Sequence, residues 1–303
     1  MTQRTLQLAA VATAFSPDPR EAAAAARVNG FRGLQFDAFS AAMNLTDLSQ
    51  TGRREFRHML SGNDQQLVGV RVDVGNKGFG PGADIDRLLT QFDKVMDAAK
   101  GLGAPLLCVE LGPLPEPVAA AKPNPRVDPA QAGLIIIPTL NDASPPPQDS
   151  RPVPGPDPKL IANVDAALME ICSRADRTGV TVALRSELSS FAALERAMIS
   201  ARCPWFGVDL DPVAILRDAW TSDEIFSQFG SLIRHVRARD AVAGSDRRTR
   251  PAVIGQGSTD WSELLANLDS AGYRGWLTID PIELSDRTAG AIAGAAHLND
   301  AAS

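Results

Sequence analysis

The chain has 303 residues, 44% of them hydrophobic and 22% charged, with a formal net charge of -6. That balance suits a globular protein with a sizeable core, and it excludes a duplex-binding protein, which needs a basic footprint to displace counterions. No apolar run approaches the roughly 20 residues of a membrane helix, so the expectation is a cytoplasmic protein with neither a nucleic-acid nor a membrane partner.

The apolar stretch from Leu6 to Phe15 lacks the basic start of a secretory signal and reads better as a first strand, Thr5–Thr13. A helix over Pro19–Asn29 follows, then strands Phe31–Asp37 and Leu67–Val74, a helix over Ile85–Gly101 and a fourth strand, Pro105–Leu111. Beyond a proline-rich stretch come helix Pro158–Thr178, strand Val180–Arg185, helix Ser190–Ser200 and strands Phe206–Asp211 and Leu232–Arg239. Helix Trp261–Ala271 and strand Trp276–Asp280 complete the pattern. Eight β-rich runs alternating with amphipathic ones are the signature of a parallel α/β protein. A (β/α)8 TIM barrel of about 250 residues plus one insertion fits the length, so residues 1–303 are read as a single domain. Asn29-Gly30 and Thr178-Gly179 have the form of helix C-caps, and Ser258 or Thr259 is the expected cap of the helix at Trp261.

The stretch Pro113–Pro158 breaks the rhythm, with Pro145-Pro146-Pro147 and Pro152-Val153-Pro154 inside it. Proline fixes φ and removes a donor, so this is neither helix nor interior strand. It reads as a long insertion after strand four, anchored to the barrel or to a second subunit by Leu134-Ile135-Ile136-Ile137; a linker between two domains is the other reading. Cys108, Cys172 and Cys203 are odd in number and far apart, and are expected to be reduced core residues rather than a disulfide framework or a zinc cluster.

Side chains along a strand alternate between faces, and the strand ends carry charges at that spacing. They are Gln35 and Asp37, Arg71 and Asp73, Glu110, Arg185 and Glu187, Asp209 and Asp211, His235 with Arg237 and Arg239, and Asp280. In a closed barrel these positions converge on the C-terminal mouth, where barrel sites form. Each has a plainer reading, since Asp211 before Pro212 would cap a helix and His235 or Arg185 alone would be a structural group. Their joint placement favours a polar pocket.

The run Val253-Ile254-Gly255-Gln256-Gly257-Ser258-Thr259-Asp260-Trp261, with Gly272-Tyr273 and Gly275-Trp276-Leu277-Thr278-Ile279-Asp280, resembles the G-x-G loop, seventh helix and eighth strand of the xylose-isomerase-like sugar isomerase/epimerase superfamily. His235-Val236-Arg237-Ala238-Arg239-Asp240 is similar to its seventh strand and Gly207-Val208-Asp209-Leu210-Asp211-Pro212 to its sixth. The resemblance implies a TIM barrel and a divalent metal held by carboxylates and histidine at the mouth. Here the chain departs from the family pattern: Arg185 stands where the resemblance implies a glutamate ligand, Ala214 and Arg237 where it implies histidines, and Asp280 where it implies a glutamate. An arginine has five donors and no lone pair for a cation, and two guanidiniums beside a dication repel it. No metal ligand is therefore assigned; Mn or Mg is disfavoured and no other cofactor is expected.

The resulting expectation is a sugar isomerase/epimerase-like protein that acts on or binds a small polar sugar, sugar acid or sugar phosphate. Asp211, Asp280, Glu187 and His235 are the candidate catalytic groups, with His235 the favoured base, and Glu110, Arg185, Arg237, Arg239, Gln35 and Asp73 are the candidate ligand-binding groups. The alternative is a catalytically inactive relative that holds an anionic small molecule through the mouth arginines. A repair endonuclease would need more than three histidines and a basic face. Whether the protein is an enzyme, and whether it forms a homo-oligomer, stays open at this level.

Overall fold

The computed structural model describes residues 6–117, 156–244 and 248–303. Eight parallel strands close a barrel: β1 (Leu8–Val11), β2 (Gly33–Asp37), β3 (Gln66–Asp73), β4 (Leu106–Glu110), β5 (Thr181–Arg185), β6 (Phe206–Leu210), β7 (Ile233–Ala238) and β10 (Leu277–Ile279), the last pairing back onto β1. Most of the strands are short and almost wholly buried, as in Leu106–Glu110, where every residue after the first is buried. Sheets covered on both faces demand such apolar runs. Their outer faces pack against helices through Phe31, Phe92, Leu168, Phe229 and Trp261.

The helices start and stop where local chemistry dictates. Asp18 accepts from the N–H groups of Arg20 and Glu21 to open α1 (Pro19–Val28), with proline at its first position. Asp84 opens α3 (Ile85–Leu102) after α2 (Gln50–Gly62), and Asp157 opens α4 (Pro158–Thr178), which closes on Gly179 at φ 70°. Beyond α5 (Phe191–Ala201) lie α6 (Pro212–Asp218) and α7 (Ser222–Phe229), and α8 (Trp261–Ser270) and α9 (Arg287–Ala301) follow the last loops. The helix at Trp261 is capped by Asp260, which accepts from Glu263 N, rather than by Ser258 or Thr259. Those two serve the neighbouring loop instead, Ser258 Oγ accepting from Ala243 N and Thr259 N donating to Asp240.

Outside the barrel, β8 (Asp240–Ala243) and β9 (Thr249–Ala252) form an antiparallel hairpin that the sequence did not announce. Asp240 organises it. Its buried carboxylate accepts from Ala241 N (2.8 Å), Gly255 N (3.0 Å), Gly257 N (3.2 Å), Thr259 N (3.3 Å) and Trp261 Nε1 (3.1 Å). The G-x-G spacing has its reason here: a Cβ on Gly257 would collide with the Asp240 carboxylate.

The expected absence of a disulfide is corrected, because Cys172 and Cys203 are bonded with their Cα atoms 5.7 Å apart. Packing of α4 beside α5 brings together two residues separated by 31 positions, a proximity that spacing alone does not encode. Cys108 is free and buried, as expected. The stem of the insertion runs along the barrel top, with Leu114 N donating to Ser189 Oγ at 2.5 Å. Residues 118–155, and with them Leu134–Ile137 and its expected packing, lie outside the described residues.

Candidate functional site

The C-terminal ends of β2 to β5, β7 and β10 surround a cavity of about 450 Å³, lined by Asp37, Phe39, Arg71, Asp73, Glu110, Arg185, Glu187, Arg237, Ile282 and Glu283. Strand register explains the convergence. Asp37 pairs with Arg71, Asp73 with Glu110, and Glu110 with Arg185 as Cα partners on adjacent strands. Alternation then turns the same parity inward all around the ring.

The arginines bind these walls together. Arg185 Nε donates to Glu110 (3.0 Å) and its Nη1 to Asp209 (3.2 Å), with Glu187 3.7 Å away. Arg237 Nε donates to Asp280 (2.6 Å) while its Nη1 bonds Glu187 and lies 3.7 Å from Asp211. Arg239 chelates Asp211 through Nε and Nη2 and reaches Glu187 and Glu283 at 3.0 and 3.1 Å. Arg71 forks onto both oxygens of Asp37 (2.6 and 3.1 Å) and touches Asp280 at 3.0 Å. Two-pronged guanidinium–carboxylate pairs are among the stronger charge-assisted bonds. Asp211 also caps α6 by accepting from Val213 N, so its plain and its electrostatic readings both hold.

These contacts set the ionisation of the carboxyls. Burial works to raise Asp211, but Arg239 and then Arg237 outweigh it and hold the group below its ordinary value. Asp209 is lowered in the same way against its burial by His235 and Arg185, and Glu187 by Arg237, Arg185 and Arg239. Arg237 and Arg71 overcome burial at Asp280 and drive it far below the carboxylate range. Glu110 moves the other way, because there burial prevails over Arg185. Both Glu110 oxygens accept backbone N–H groups, Gly112 N on Oε1 and Glu187 N on both.

The structure separates the ten sequence-predicted residues into two layers. Glu110, Arg185, Glu187, Arg237 and Asp73 line the cavity, and Asp211, Asp280 and Arg239 stand directly behind them. Gln35 and His235 do not reach it. They lie one layer deeper in the barrel, 3% and 1% exposed. There His235 Nδ1 meets Asp209 at 2.6 Å and Nε2 meets Thr278 Oγ1 at 2.8 Å and the Gln35 amide at 3.4 Å. A carboxylate can only accept, so Nδ1 carries the proton and Nε2 is occupied on its other side. Phe39, Ile282 and Glu283 line the cavity without having been singled out from the sequence, and Asp37 and Arg71, read there as mouth-facing charges but not as candidate site residues, line it with them.

The donor set at the mouth does not suit the divalent metal implied by the sequence resemblance. Oxygens of Asp211 and Asp280 that would face the ion face guanidiniums instead. Among the described residues, one set of three potential ligands converges within 4.8 Å: Cys108, Asp209 and His235, below the cavity floor. That set is already spent on internal bonds. Cys108 receives the Gln35 amide at 3.1 Å and its thiol is raised well above the ordinary value by burial and Asp209, while Asp209 is shared by His235 and Arg185.

A sequence profile of the xylose isomerase-like TIM barrel family matches residues 22–301. Solved structures with the same fold include a xylose isomerase-like TIM barrel protein from Mycobacterium smegmatis in complex with magnesium (TM-score 0.69, 13% identity, covering 100% of this chain and 98% of that one). D-psicose 3-epimerase with D-tagatose from Clostridium cellulolyticum gives 0.68 and 13%, covering 98% and 99%. A 3-keto-D-glucoside 4-epimerase from E. coli gives 0.66 and 16%, covering 98% and 100%. Among curated protein sequences none matches, and among the described residues no helix is long and apolar enough to cross a membrane.

Proposed function

The chain belongs to the xylose isomerase-like TIM barrel family, and on that premise we propose that its mouth is an isomerase/epimerase-type sugar site organised by guanidiniums in place of a divalent metal. The observation that carries the proposal is Arg237, whose one guanidinium joins Asp280, Glu187 and Asp211. Three carboxylates thereby share one positive charge that belongs to the chain. A small sugar would lie over this floor, its hydroxyls bonding the outward lone pairs of Glu187, Asp37 and Asp73 and its ring against Phe39 and Ile282, which line the same cavity.

Proton transfer at this site has few available groups. Asp211, Asp280 and Glu187 are held below their ordinary values and make weak bases, and His235 lies under the floor. Glu110, which lines the cavity and is raised by burial, is the group we assign to any acid–base step. This supply favours a second reading, in which the protein binds a sugar without turning it over. Elemental analysis of the dialysed protein and a thermal-shift screen of sugars test the first proposal; a stoichiometric metal would overturn it. Incubating bound ketoses in D2O separates the two readings, since enediol chemistry exchanges the hydrogen next to the carbonyl. Exchange abolished by Glu110→Gln supports turnover, and its absence supports binding alone.

A further inference from the structure

We infer that the mouth selects its ligand by charge, favouring a small polyol that carries a protonated amine and rejecting sugar phosphates and sugar acids. The inference rests on the reading of this cavity as a sugar site and narrows the chemistry of the sugar.

The positive groups are the first part of the argument. A cluster of arginines in a pocket ordinarily marks an anion site, because the planar fork matches phosphate and carboxylate. At this mouth every arginine is already engaged with carboxylates, Arg185 and Arg237 through Nε and Nη1 and Arg71 and Arg239 through all three nitrogens. Arg71, Arg185, Arg237 and Arg239 each contact two or more carboxylates within 3.7 Å. Together these four guanidiniums contact seven carboxylates, Asp37, Glu110, Glu187, Asp209, Asp211, Asp280 and Glu283, an excess of three negative charges before Asp73 is added. An incoming phosphate or carboxylate would add charge to a wall that is already negative in sum, and that repulsion opposes it.

The negative groups supply the second part. Among the described residues no cation pairs with Asp73. Its side chain lines the cavity and accepts only from Gly75 N, at 2.6 Å. Glu283 is 48% exposed and Glu187 35%, so both keep a face toward the opening. These oxygens are spread around the rim and, among the described residues, do not converge in a set of three within 4.8 Å. A primary ammonium needs less: one carboxylate and two further acceptors satisfy its three donors. The 450 Å³ of space leaves room for a hexose-sized body beneath it.

The test uses the intact protein and calorimetric titration at neutral pH and low salt. Probes are D-glucose, D-galactose and D-mannose, the 2-amino analogue of each, N-acetyl-D-glucosamine, D-gluconate and D-glucose 6-phosphate. The expected order is amine above neutral sugar above anion. The amine should gain on the order of tenfold over its parent hexose, and acetylation should remove the gain. Asp73→Asn keeps the acceptor used by Gly75 and should abolish the amine preference, so that each amino sugar binds no more tightly than its parent hexose in the same variant. Gluconate or the phosphate binding as tightly as the neutral sugars, or an amine preference that survives Asp73→Asn, would overturn the inference while the sugar-site reading stands. If no hexose, neutral or amino, binds at all, the sugar-site reading itself fails and the inference falls with it.

Discussion

Arg237 reaches Asp280 from the neighbouring strand, Nε to Oδ2 at 2.6 Å, in a setting where the arginine is 8% exposed and the aspartate 5%. Removing one member of such a pair leaves the other buried and uncompensated. Arg237→Ala is expected to lower stability by about 3–5 kcal/mol, and Arg185→Ala to act in the same direction through Glu110 and Asp209. Urea denaturation of each variant measures the effect, and wild-type stability in either would remove the guanidiniums from their structural role.

The pair of substitutions Arg185→Glu and Arg237→His should convert the floor into a metal site. It removes two positive charges and adds two lone-pair donors beside Asp211 and Asp280. The double variant alone should be unstable, and Mn²⁺ should raise its melting temperature through native-state binding while leaving the wild type unmoved. Equal stabilisation of both proteins by Mn²⁺ counts against the proposed exchange of metal for arginine.

Acid should unfold this protein through its floor. Asp209, Asp211, Asp280 and Glu187 have folded values below their ordinary ones. Their stabilisation is complete above the unfolded carboxylate values near pH 4 and is lost as pH falls through the lower folded values. Glu110, raised by burial, has the opposite sign and is relieved as pH falls. Stability should therefore hold or rise slightly from pH 7 to about 5 and then drop by at least about 2 kcal/mol below pH 4. A steady decline beginning at neutral pH would contradict that balance.

Asp240→Ala strands four backbone N–H groups and the Trp261 indole N–H around one vacated carboxylate. Because unmet buried donors each cost about 1–3 kcal/mol, a loss of roughly 3 kcal/mol or more is expected, with a changed Trp261 environment in near-ultraviolet circular dichroism. An unaltered spectrum and stability would show that the hairpin holds without its anchor.

Cys172→Ser with Cys203→Ser, or reduction of the wild type, should cost about 2–4 kcal/mol, since the bond closes a loop of some 30 residues. Mass spectrometry of the alkylated, unreduced protein gives an independent check; three free thiols would refute the bond.

The barrel was legible because its evidence is local. Apolar runs such as Val180–Leu184 bounded by glycine and helix caps specify strand, turn and helix with no long-range information. The site was legible to the extent of parity. Alternation says that His235 and Arg237 share a face, as do Gln35 and Asp37, but two residues along a strand also change depth by about 6–7 Å. Parity cannot tell the floor from the layer beneath, so His235 and Gln35 were assigned to a cavity they do not enter. The Cys172–Cys203 contact depended on the rotation and packing of two helices, and the Asp240 hub on a loop folding back across 15 to 21 positions; neither leaves a periodic trace.

The positive charge at this mouth is covalently part of the polypeptide. Arg237 needs no loading after the strands close. The same permanence removes a freedom that an open coordination position would give. A ligand oxygen can displace water from an ion, whereas Nε and Nη1 of Arg237 open only by parting from Asp280 or Glu187. Evolution of this mouth is constrained accordingly: the charge can be altered only by mutation, and each such change alters fold stability and ligand choice together.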